Sequence, residues 1–403
     1  MLRLALRNIF RQKFRTAMTI AAIASGVIGL VLSGGFVQDV FLQLGEAVIH
    51  SQSGHLQVTR AGFFQQGSRS PHNYLINNVV ALKNTISALP EVEDVMGRIS
   101  FSGLLSNGKT DFSIIGEGVE ADRERRLGTH MIITAGRELR ANDEDGLMVG
   151  EGIAHAAGLK PGDLVTILLN TSEGALNTSE FVVVGTFRTY SKEFDARAVR
   201  ISLAAAQSLL NTSGLNAVVV SLRNTADTMS VRSTLEQRLD LEAFEVMTWQ
   251  QLNDFYQKTL DLYQRQFGVL QVIVLFMVLL SVANSVNMST FERVAEFGTM
   301  MALGDRPGHV FRLIVVENAV VGLVGSLLGV VLGITLALVI SAIGIPMPPP
   351  PNASLGYTAH IRIVPQQVAM AFAIGVVATL GASLLPARRI VKIPVVDALR
   401  QSV

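Results

Sequence analysis

The stretch QFGVLQVIVLFMVLLSVANSVNMSTF, residues 266–291, has no charged side chain over 26 positions. A helix needs about 20 predominantly apolar residues to cross the hydrocarbon core of a bilayer, so this stretch predicts a transmembrane helix. Residues 16–38 and 363–387 are also uncharged, and residues 311–343 carry one acidic side chain, Glu317, near their start. The sequence therefore predicts a membrane protein with four transmembrane helices.

The composition supports a membrane protein and excludes several other classes. Of the 403 residues, 49% are apolar and 16% are charged, whereas about 25% are charged in an average soluble domain. The apolar content also excludes an intrinsically disordered chain. The chain contains no cysteine, which excludes disulfides, thiolate catalysis, cysteine-based metal sites and a lipid-modified cysteine.

The distribution of charge predicts the topology. Residues 1–38 carry five basic side chains and no acidic one, and the cytoplasmic tail predicted at 388–403 carries four basic and one acidic. Because basic residues near membrane ends stay in the cytoplasm, we expect both termini and residues 292–310 inside. Residues 39–265 and 344–362 are then outside. Residues 39–265 hold 20 basic and 27 acidic side chains, which excludes a nucleic-acid partner because such a partner needs a basic surface.

Residues 1–15 predict a cytoplasmic amphipathic helix. Its basic stripe consists of Arg3, Arg7, Arg11 and Arg15. A four-residue repeat places these side chains on one helical face, which suits a helix lying on anionic lipid; a simple positive flank of the first transmembrane helix fits as well. The apolar run 16–38 exceeds the length of a signal-peptide core, so we expect a retained anchor.

Residues 39–265 predict a large α+β domain outside the membrane. Alternation and turn signals predict strands at 95–105, 111–119, 147–149, 164–169, 180–187 and 218–222, and helices at 75–89, 152–157, 228–239 and 249–265. The order of these elements suggests a porter-like part at about 50–135 and 205–260, with a strand-rich insert at about 136–204. We expect the helix at 249–265 to run straight into the second transmembrane helix.

One segment imitates a nucleotide site. Gly103–Thr110 matches the phosphate-loop pattern G-x-x-x-x-G-K-[ST], which needs a following helix whose N-terminus holds the phosphates. The residues after Lys109 alternate like a strand, and Asn107 with Gly108 predicts a hairpin turn, so we predict no nucleotide site. The histidines lack metal-ligand spacing and no catalytic constellation is present, so we expect neither a metal site nor an enzyme.

The segment 292–310 is the longest internal stretch expected in the cytoplasm. It combines charged positions with apolar ones: Glu292, Arg293 and Glu296 with Phe297, Met300 and Met301. Gly304 predicts the end of a short helix. These residues fit two interpretations equally well. One is an amphipathic helix that binds a cytoplasmic partner, and the other is an ordinary solvated turn.

This segment resembles the coupling helix of the MacB/FtsX-type permease family of ABC transporters, whose pattern is E-R-x-x-E-[IF]-G-x-x-x-A-L-G. The matching residues are Glu292, Arg293, Glu296, Phe297, Gly298, Ala302, Leu303 and Gly304. Residues 386–400 resemble the family's C-terminal tail, residues 4–16 its N-terminal helix, and residues 150–163 and 181–187 its extracytoplasmic core. The resemblance therefore covers the whole chain.

The resemblance implies a fold and a mechanism. The fold is that of a type VII ABC transporter, with four transmembrane helices and a large α+β domain inserted between the first and the second. The mechanism is mechanotransmission, in which closure of two ATPase subunits moves the coupling helices. The second transmembrane helix and residues 249–265 then carry the motion outward. The eight matching residues are implied to couple the chain to the ATPase.

The resemblance also implies partners. They are a cytoplasmic ABC ATPase dimer, a second permease copy or paralogue, membrane lipid, and a periplasmic adaptor, lipoprotein or chaperone. We expect no cofactor in this chain. ATP and Mg²⁺ bind the ATPase, which we expect to be a separate polypeptide, as in the similar lipoprotein-releasing permeases LolC and LolE.

Two functions in the bacterial cytoplasmic (inner) membrane remain open. The first is a permease that exports or extracts a lipoprotein, lipid or other hydrophobic substrate. The second is an FtsX-like transmitter that activates an extracytoplasmic cell-wall hydrolase without transport. The large outer domain favours the permease.

Three features of the later membrane segments complete the predictions. Small residues recur every fourth position in the third predicted helix, at Gly325, Gly329 and Gly333. Such a ridge allows helices to pack closely. Glu317 lies five residues from Arg312 and is expected to reach the membrane interface. Pro346 and Pro348–Pro351 suggest a stiff spacer, for which we have no functional explanation.

Overall fold

The computed structural model describes residues 13–67, 71–128, 130–189, 191–348 and 356–400. The chain divides into two compact units. The helical unit comprises Met1–Leu42, Thr259–Met347 and Thr358–Val403, and the sheet unit comprises Gln43–Lys258 and Pro348–Tyr357. Most of the helix predicted at 1–15 and Pro349–Pro351 lie outside the described residues.

The helices are α1 Lys13–Val48, α2 Val79–Ser87, α3 Ala121–Leu127, α4 Glu151–Ala157, α5 Lys192–Asp195, α6 Leu203–Leu210, α7 Thr228–Arg238, α8 Asp254–Glu292, α9 Val294–Ala302, α10 Pro307–Ile343, α11 Pro365–Val391 and α12 Val395–Arg400. The strands are β1 Leu56–Arg60, β2 Val92–Ser106, β3 Asp111–Val119, β4 Ile132–Gly136, β5 Gly146–Gly150, β6 Leu164–Asn170, β7 Leu176–Arg188, β8 Ala198–Ser202, β9 Ala217–Leu222, β10 Phe244–Thr248, β11 Ile345–Met347 and β12 Tyr357–Ala359.

Four helices in the described part of the chain are long and apolar enough to cross a membrane: α1, α8, α10 and α11. Each contains one of the predicted apolar runs. The helices α1 and α8 extend well beyond those runs, because polar residues continue a helix once a long apolar segment has formed it. The predicted helix at 249–265 begins later, at Asp254, and is continuous with α8.

The helix α10 packs against α1 along the predicted glycine ridge. A Cβ atom on Gly325 would lie 3.0 Å from Cβ of Ile23, and one on Gly333 would lie 3.2 Å from Cβ of Val31. At Gly329 the added Cβ would lie 2.7 Å from Val27 and 2.9 Å from the backbone oxygen of Ala24. The absence of side chains on this face therefore allows the two backbones to approach closely.

Within the described residues, ten strands form one mixed sheet in the sheet unit. The main order is β10-β1-β9-β2-β3-β8-β5-β7-β4, and β6 pairs with β2 and β7. The pairs β3–β8 and β5–β7 are parallel. The long strand β2 joins the two halves, since it pairs with β9 over its first part and with β6 over its last part. The sheet is thus continuous across the predicted insert at 136–204, whose bounds stay a prediction.

Two apolar cores support this sheet. One lies around Ile99, Phe101 and Ile201, and the other lies around Val58, Val220 and Leu235. In β6 the buried residues Val165, Ile167 and Leu169 alternate with more exposed ones, as expected where one face of a sheet is buried. Every residue of β8 and β9 is buried, so both faces of the sheet are covered there.

The predicted hairpin is confirmed. The strands β2 and β3 are antiparallel and end at the pair Ser106 and Asp111, so four residues form the loop. The side-chain oxygen of Asn107 accepts hydrogen bonds from the backbone N–H groups of Lys109 and Thr110, at 3.0 and 2.9 Å. Gly103–Thr110 is therefore strand and loop, and a second strand follows it where a phosphate loop requires a helix.

One predicted helix was too long. The structure has α2 over Val79–Ser87, whereas the sequence predicted a helix over 75–89. The backbone N–H of Ile76 donates to the carbonyl of Leu215 at 2.7 Å, and Leu215 donates back at 3.2 Å. This bridge holds Ile76 in an extended conformation, so the helix cannot begin before it.

Candidate functional site

The short helix α9 follows a break at the end of α8. Arg293 between the two helices has φ −106° and ψ 12°, outside the helical region. The helix α9 ends before Gly304, whose φ of +104° is available to glycine and unfavourable for other residues. The predicted segment therefore forms a separate helix of nine residues with a sharp start and a sharp end.

One side of α9 is packed into the chain's own core. Val294 and Phe297 are buried in one cluster with Val310 and Ile314 of α10. The same cluster contains the C-terminal residues Ala387, Ile390 and Ala398. The two segments that carry the family resemblance, 292–304 and 386–400, are thus joined in space by apolar contacts.

The predicted apolar face of this segment packs against the chain's own core. Phe297 is only 1% exposed, and Met300 and Met301 are partly buried against the same cluster. These side chains therefore hold α9 in place. A helix of nine residues is marginal alone, so it needs these tertiary contacts to form.

The end of α9 is exposed. Leu303 is 85% exposed, and Ala302 and Gly304 beside it are also exposed. A large apolar side chain that is almost fully exposed next to a fixed backbone turn suits contact with another protein. The matched motif therefore has a buried middle at Phe297 and Gly298, a partly buried Arg293, and exposed residues at its two ends, Glu292 and Ala302–Gly304.

Arg293 links α9 to the membrane helix α10. Its Nη1 donates to Oε2 of Glu317 at 2.8 Å, and its Nε donates to Oε2 of Glu296 at 3.2 Å. Its guanidinium lies 4.9 Å from the centre of the Phe297 ring, within range of a cation–π interaction. Glu317 is buried, and a buried carboxylate requires such a partner. Its expected position at the membrane interface stays a prediction.

A second ion pair joins the ends of α1 and α8. Arg15 donates through Nη2 to Oε1 of Glu292 at 2.6 Å and also contacts Glu292 through Nη1. A polar cavity of about 60 Å³ lies beside it, lined by Arg15, Thr19, Ser285, Ser289, Arg293, Glu317 and other residues. This space is sufficient for ordered water, which would allow these polar groups to rearrange.

The sequence did not predict these two ion pairs. Arg15 and Glu292 are 277 positions apart, and Arg293 and Glu317 are 24 apart. The available signal was that Arg15, Glu292 and Arg293 flank apolar runs and Glu317 lies near the start of one, all at the same predicted side of the membrane. The described residues contain no group of three or more histidine, aspartate or glutamate side chains arranged to hold a metal ion.

Four membrane-crossing helices and an α+β unit inserted after the first of them define a membrane permease with a large outer domain. Residues 16–238 match the model of the MacB-like periplasmic core domain, and residues 268–395 match that of the FtsX-like permease C-terminal region. The chain belongs to the MacB/FtsX-type family of ABC transporter permeases. Members of this family work with a cytoplasmic ABC ATPase, and the family indicates a protein of the bacterial inner membrane.

Three relatives of this chain are described as membrane or transporter proteins. An uncharacterized ABC transporter permease of Methanocaldococcus jannaschii is 24% identical, with 84% of each chain covered. The lipoprotein-releasing system transmembrane protein LolC of Neisseria meningitidis is 24% identical over 81% of this chain and 77% of the relative. The macrolide export ATP-binding/permease protein MacB of Hyphomonas neptunium is 23% identical over 98% of this chain and 60% of the relative.

Solved structures resemble the outer part of the chain. The periplasmic region of MacB from Actinobacillus actinomycetemcomitans aligns with a TM-score of 0.36 and 17% identity, covering 53% of this chain and 95% of that one. The extracellular domain of the transporter YknZ from Gram-positive bacteria aligns with a TM-score of 0.35 and 14% identity, covering 48% of this chain and all of that one.

Proposed function

We propose that this chain is a permease subunit that couples ATP hydrolysis by a separate cytoplasmic ATPase to movement of its outer domain. The observation that carries the proposal is the exposed turn Ala302–Gly304, which is fixed to the core by Phe297 and Arg293. An exposed contact on a rigidly held helix transmits force, since neither the helix nor its anchor has to reorganise when a partner moves.

The direction of transmission follows from the contacts of α9. Displacement at Leu303 reaches α10 through the pair of Arg293 with Glu317, and it reaches α8 directly through the chain. The pair of Arg15 with Glu292 extends this connection to α1. Because all three contacts are ion pairs or covalent links, a movement of α9 is shared among the membrane helices.

The cargo is proposed from the relatives. The names of the LolC and LolE relatives describe lipoprotein release, and that of the MacB relative describes macrolide export. We propose that the substrate of this chain is a lipoprotein, a lipid or another hydrophobic molecule taken from the membrane or the periplasm.

The first experiment purifies the tagged chain with its ATPase in mild detergent and compares the parent with Leu303→Ser. We expect at least a fivefold loss of co-purified ATPase, because the variant removes the exposed apolar contact without touching the buried cluster. The matched control is Val80→Ser, which removes a side chain that is 71% exposed on α2 in the sheet unit. The control should retain the ATPase.

The possible outcomes separate the competing interpretations. Full retention of the ATPase by Leu303→Ser would contradict the coupling role of the exposed turn. Absence of any ABC ATPase from the parent complex would overturn the proposed function itself. Recovery of a cell-wall hydrolase with the ATPase would favour the transmitter over the transporter.

A further inference from the structure

The helix α1 does not pass directly into the sheet. Five residues with π-helical geometry, Ile49–Ser53, follow it, and Gly54 then turns the chain into β1 with φ +65°. We refer to Ile49–Ser53 as the joining turn. A π-helical segment is a loosely wound form of helix, and a glycine with positive φ beside it would permit a bend, so the joining turn needs external support to stay rigid.

Four buried charges from four different elements surround the joining turn. They are Arg98 of β2, Glu117 of β3, Glu124 of α3 and Arg200 of β8, which we call the four-charge cluster. Their exposed fractions are 3%, 8%, 4% and 1%, respectively. A buried charge is tolerated where opposite charges and hydrogen bonds surround it, and this cluster balances two positive charges with two negative ones.

The ion pairs of the cluster form a closed arrangement. Nε of Arg200 donates to Oε2 of Glu117 at 2.9 Å, and Nη1 of Arg200 lies 3.5 Å from Oε1 of Glu124. Nε of Arg98 donates to Oε2 of Glu124 at 3.3 Å, and Nη1 of Arg98 lies 3.8 Å from Oε1 of Glu117. Each arginine therefore contacts both carboxylates, and loss of one member leaves the other three unbalanced.

Both arginines also hold the joining turn itself. Arg98 donates through Nη1 to the backbone oxygen of Gln52, and Nη2 of Arg200 donates to the backbone oxygen of Ser51 at 3.3 Å. Carbonyl groups at the end of a helix lack intrahelical partners and carry partial negative charge. The two guanidinium groups satisfy that need and fasten the end of α1 to the sheet.

The electrostatics of the cluster agree with its geometry. Burial by itself would raise the pKa of Glu117, but the charges of Arg98 and Arg200 outweigh burial and hold its pKa below the ordinary value. Burial opposes the charged form of Arg98, and Glu124 and Glu117 outweigh this effect and raise its pKa. Both shifts favour the charged forms of Glu117 and Arg98, which agrees with the ion pairs that these two groups make in the cluster.

We propose that the four-charge cluster is a positioning device that prevents bending at the joining turn, so that displacement of α1 is passed to the sheet. This inference rests on the proposed function, since it assumes that the membrane helices move during the ATPase cycle. It assigns a transmission role to Arg98 and Arg200, which lie far along the chain from the predicted coupling residues. Without the cluster, the same displacement would be absorbed at Ile49–Gly54.

The test uses the absence of cysteine from the chain. Cysteines at Val80 in the sheet unit and Ile343 in the helical unit, which are 71% and 81% exposed, carry spin labels. Their distance distribution is measured in nanodiscs with the partner ATPase, without nucleotide and with a non-hydrolysable ATP analogue. The cluster variant is Arg200→Met with Glu117→Gln, which removes one positive and one negative charge and keeps similar volumes.

The matched control is Arg188→Met with Glu151→Gln in the same unit. That ion pair has two hydrogen bonds of 2.7 Å and is partly exposed. We expect the cluster variant to keep an ATPase rate within twofold of the parent while losing at least half of the nucleotide-dependent distance change. The control should keep both. If the pair of Arg200 with Glu117 had only a structural role, its loss would lower the ATPase rate and the distance change together or would leave both unchanged.

A second measurement addresses the joining turn directly. In hydrogen exchange of the full chain, we expect the amides of Ile49–Gly54 to exchange at least tenfold faster in the cluster variant, with α9 unchanged. The conservative variant Arg200→Lys, which keeps the charge and shortens the reach to Ser51, should lie between parent and cluster variant in both measurements. It also provides the comparison if the double variant does not fold.

The outcomes distinguish the two proposals. A full nucleotide-dependent distance change in a cluster variant, or unchanged exchange at the joining turn, would overturn the role of the cluster while leaving the proposed function intact. A parent complex whose label distance is the same with and without nucleotide would overturn the proposed function, and this inference with it.

Discussion

At the scale of single residues, the environment of a side chain differs from what its neighbours in sequence suggest. Phe297 and Leu303 are both large, apolar and six positions apart, yet Phe297 is 1% exposed and Leu303 is 85% exposed. Glu317 lies in an apolar run and is nevertheless paired with Arg293. The role of each residue depends on which element packs over it, and this is not visible in the local sequence.

His55 is a residue whose surroundings determine its charge. Its Nδ1 accepts a hydrogen bond from the backbone N–H of Leu222, and its Nε2 contacts Oγ1 of Thr225, both at 3.1 Å. A proton on Nδ1 would face another donor, so the neutral form is required. Burial, and then the charge of His50, lower the pKa of His55 to about 4.

We predict that His55 makes the sheet unit less stable in acid. An unfolded histidine has a pKa of about 6.5. Below that value the unfolded chain binds a proton that the folded chain does not bind until about pH 4. The stabilisation is therefore complete above about pH 6.5 and decreases as the pH falls to about 4, by on the order of 3 kcal/mol.

The single tryptophan provides the measurement, because the backbone N–H of Trp249 donates to the carbonyl of His55 at 3.1 Å. Thermal unfolding is followed by Trp249 fluorescence between pH 5 and pH 8. The midpoint should fall with pH in the parent, and it should fall less steeply in His55→Gln. Equal slopes for the two proteins would show that His55 is not the responsible group.

At the scale of elements, contacts between neighbouring residues set where a helix ends, and contacts between distant residues set how it packs. The helix α9 ends before Gly304, as the sequence predicts, yet its packing depends on the cluster with α10, α11 and α12. Likewise, the glycine ridge of α10 is visible in the sequence, and the structure supplies the partner, α1, on which it packs. The residues of an element predict that element, whereas its packing partners lie far away in the sequence.

The ridge gives a prediction at this scale. Gly329→Val should destabilise the helical unit by about 1–3 kcal/mol, because the added side chain meets Val27 and the fixed backbone of Ala24. The matched control is Gly381→Val in α11, where an added Cβ meets no atom within 4 Å. Thermal stability and monodispersity in detergent are measured for both variants. Equal behaviour of the two variants would argue against close packing at Gly329.

At the scale of the whole molecule, the chain combines a helical unit with a sheet unit inserted after its first long helix. The order of elements agrees with the family, whose models match residues 16–238 and 268–395. The proposed function requires the exposed turn at Ala302–Gly304 and the sheet unit to lie on opposite sides of the membrane. The positive flanks of the chain predict this arrangement.

Labelling of single cysteines tests that topology. We expect Met229→Cys, in the sheet unit, to react with a membrane-impermeant thiol reagent in cells whose inner membrane is intact. Arg306→Cys, beside the exposed turn, should react only after permeabilisation. Both positions are exposed, so a difference in reactivity reports the side of the membrane. The reverse pattern would place the termini outside and overturn the proposed contact with a cytoplasmic ATPase.

Much of the architecture was accessible from the sequence. The four apolar runs were predicted, although α1 and α8 extend well beyond them, and the hairpin of β2 and β3 was predicted close to its observed bounds. The strands β1, β4, β8 and β10 were not predicted. Two boundary errors have local physical causes: the backbone bridge at Ile76 shortened α2, and the turn before Asp254 delayed the helix predicted at 249–265. The exposed and the buried residues of the coupling motif could not be told apart, because helical periodicity does not say which face meets the core.

Features that depend on neighbouring residues could be predicted from the amino-acid chain: the length of apolar runs, the turn at Asn107 and Gly108, and the helix end at Gly304. Features that join distant residues, such as the pairs of Arg15 with Glu292 and of Arg98 with Glu124, became visible only in the folded molecule. The physical reason is that backbone propensity and hydrophobic periodicity act over a few residues, whereas a buried charge finds its partner among all elements that the fold brings beside it.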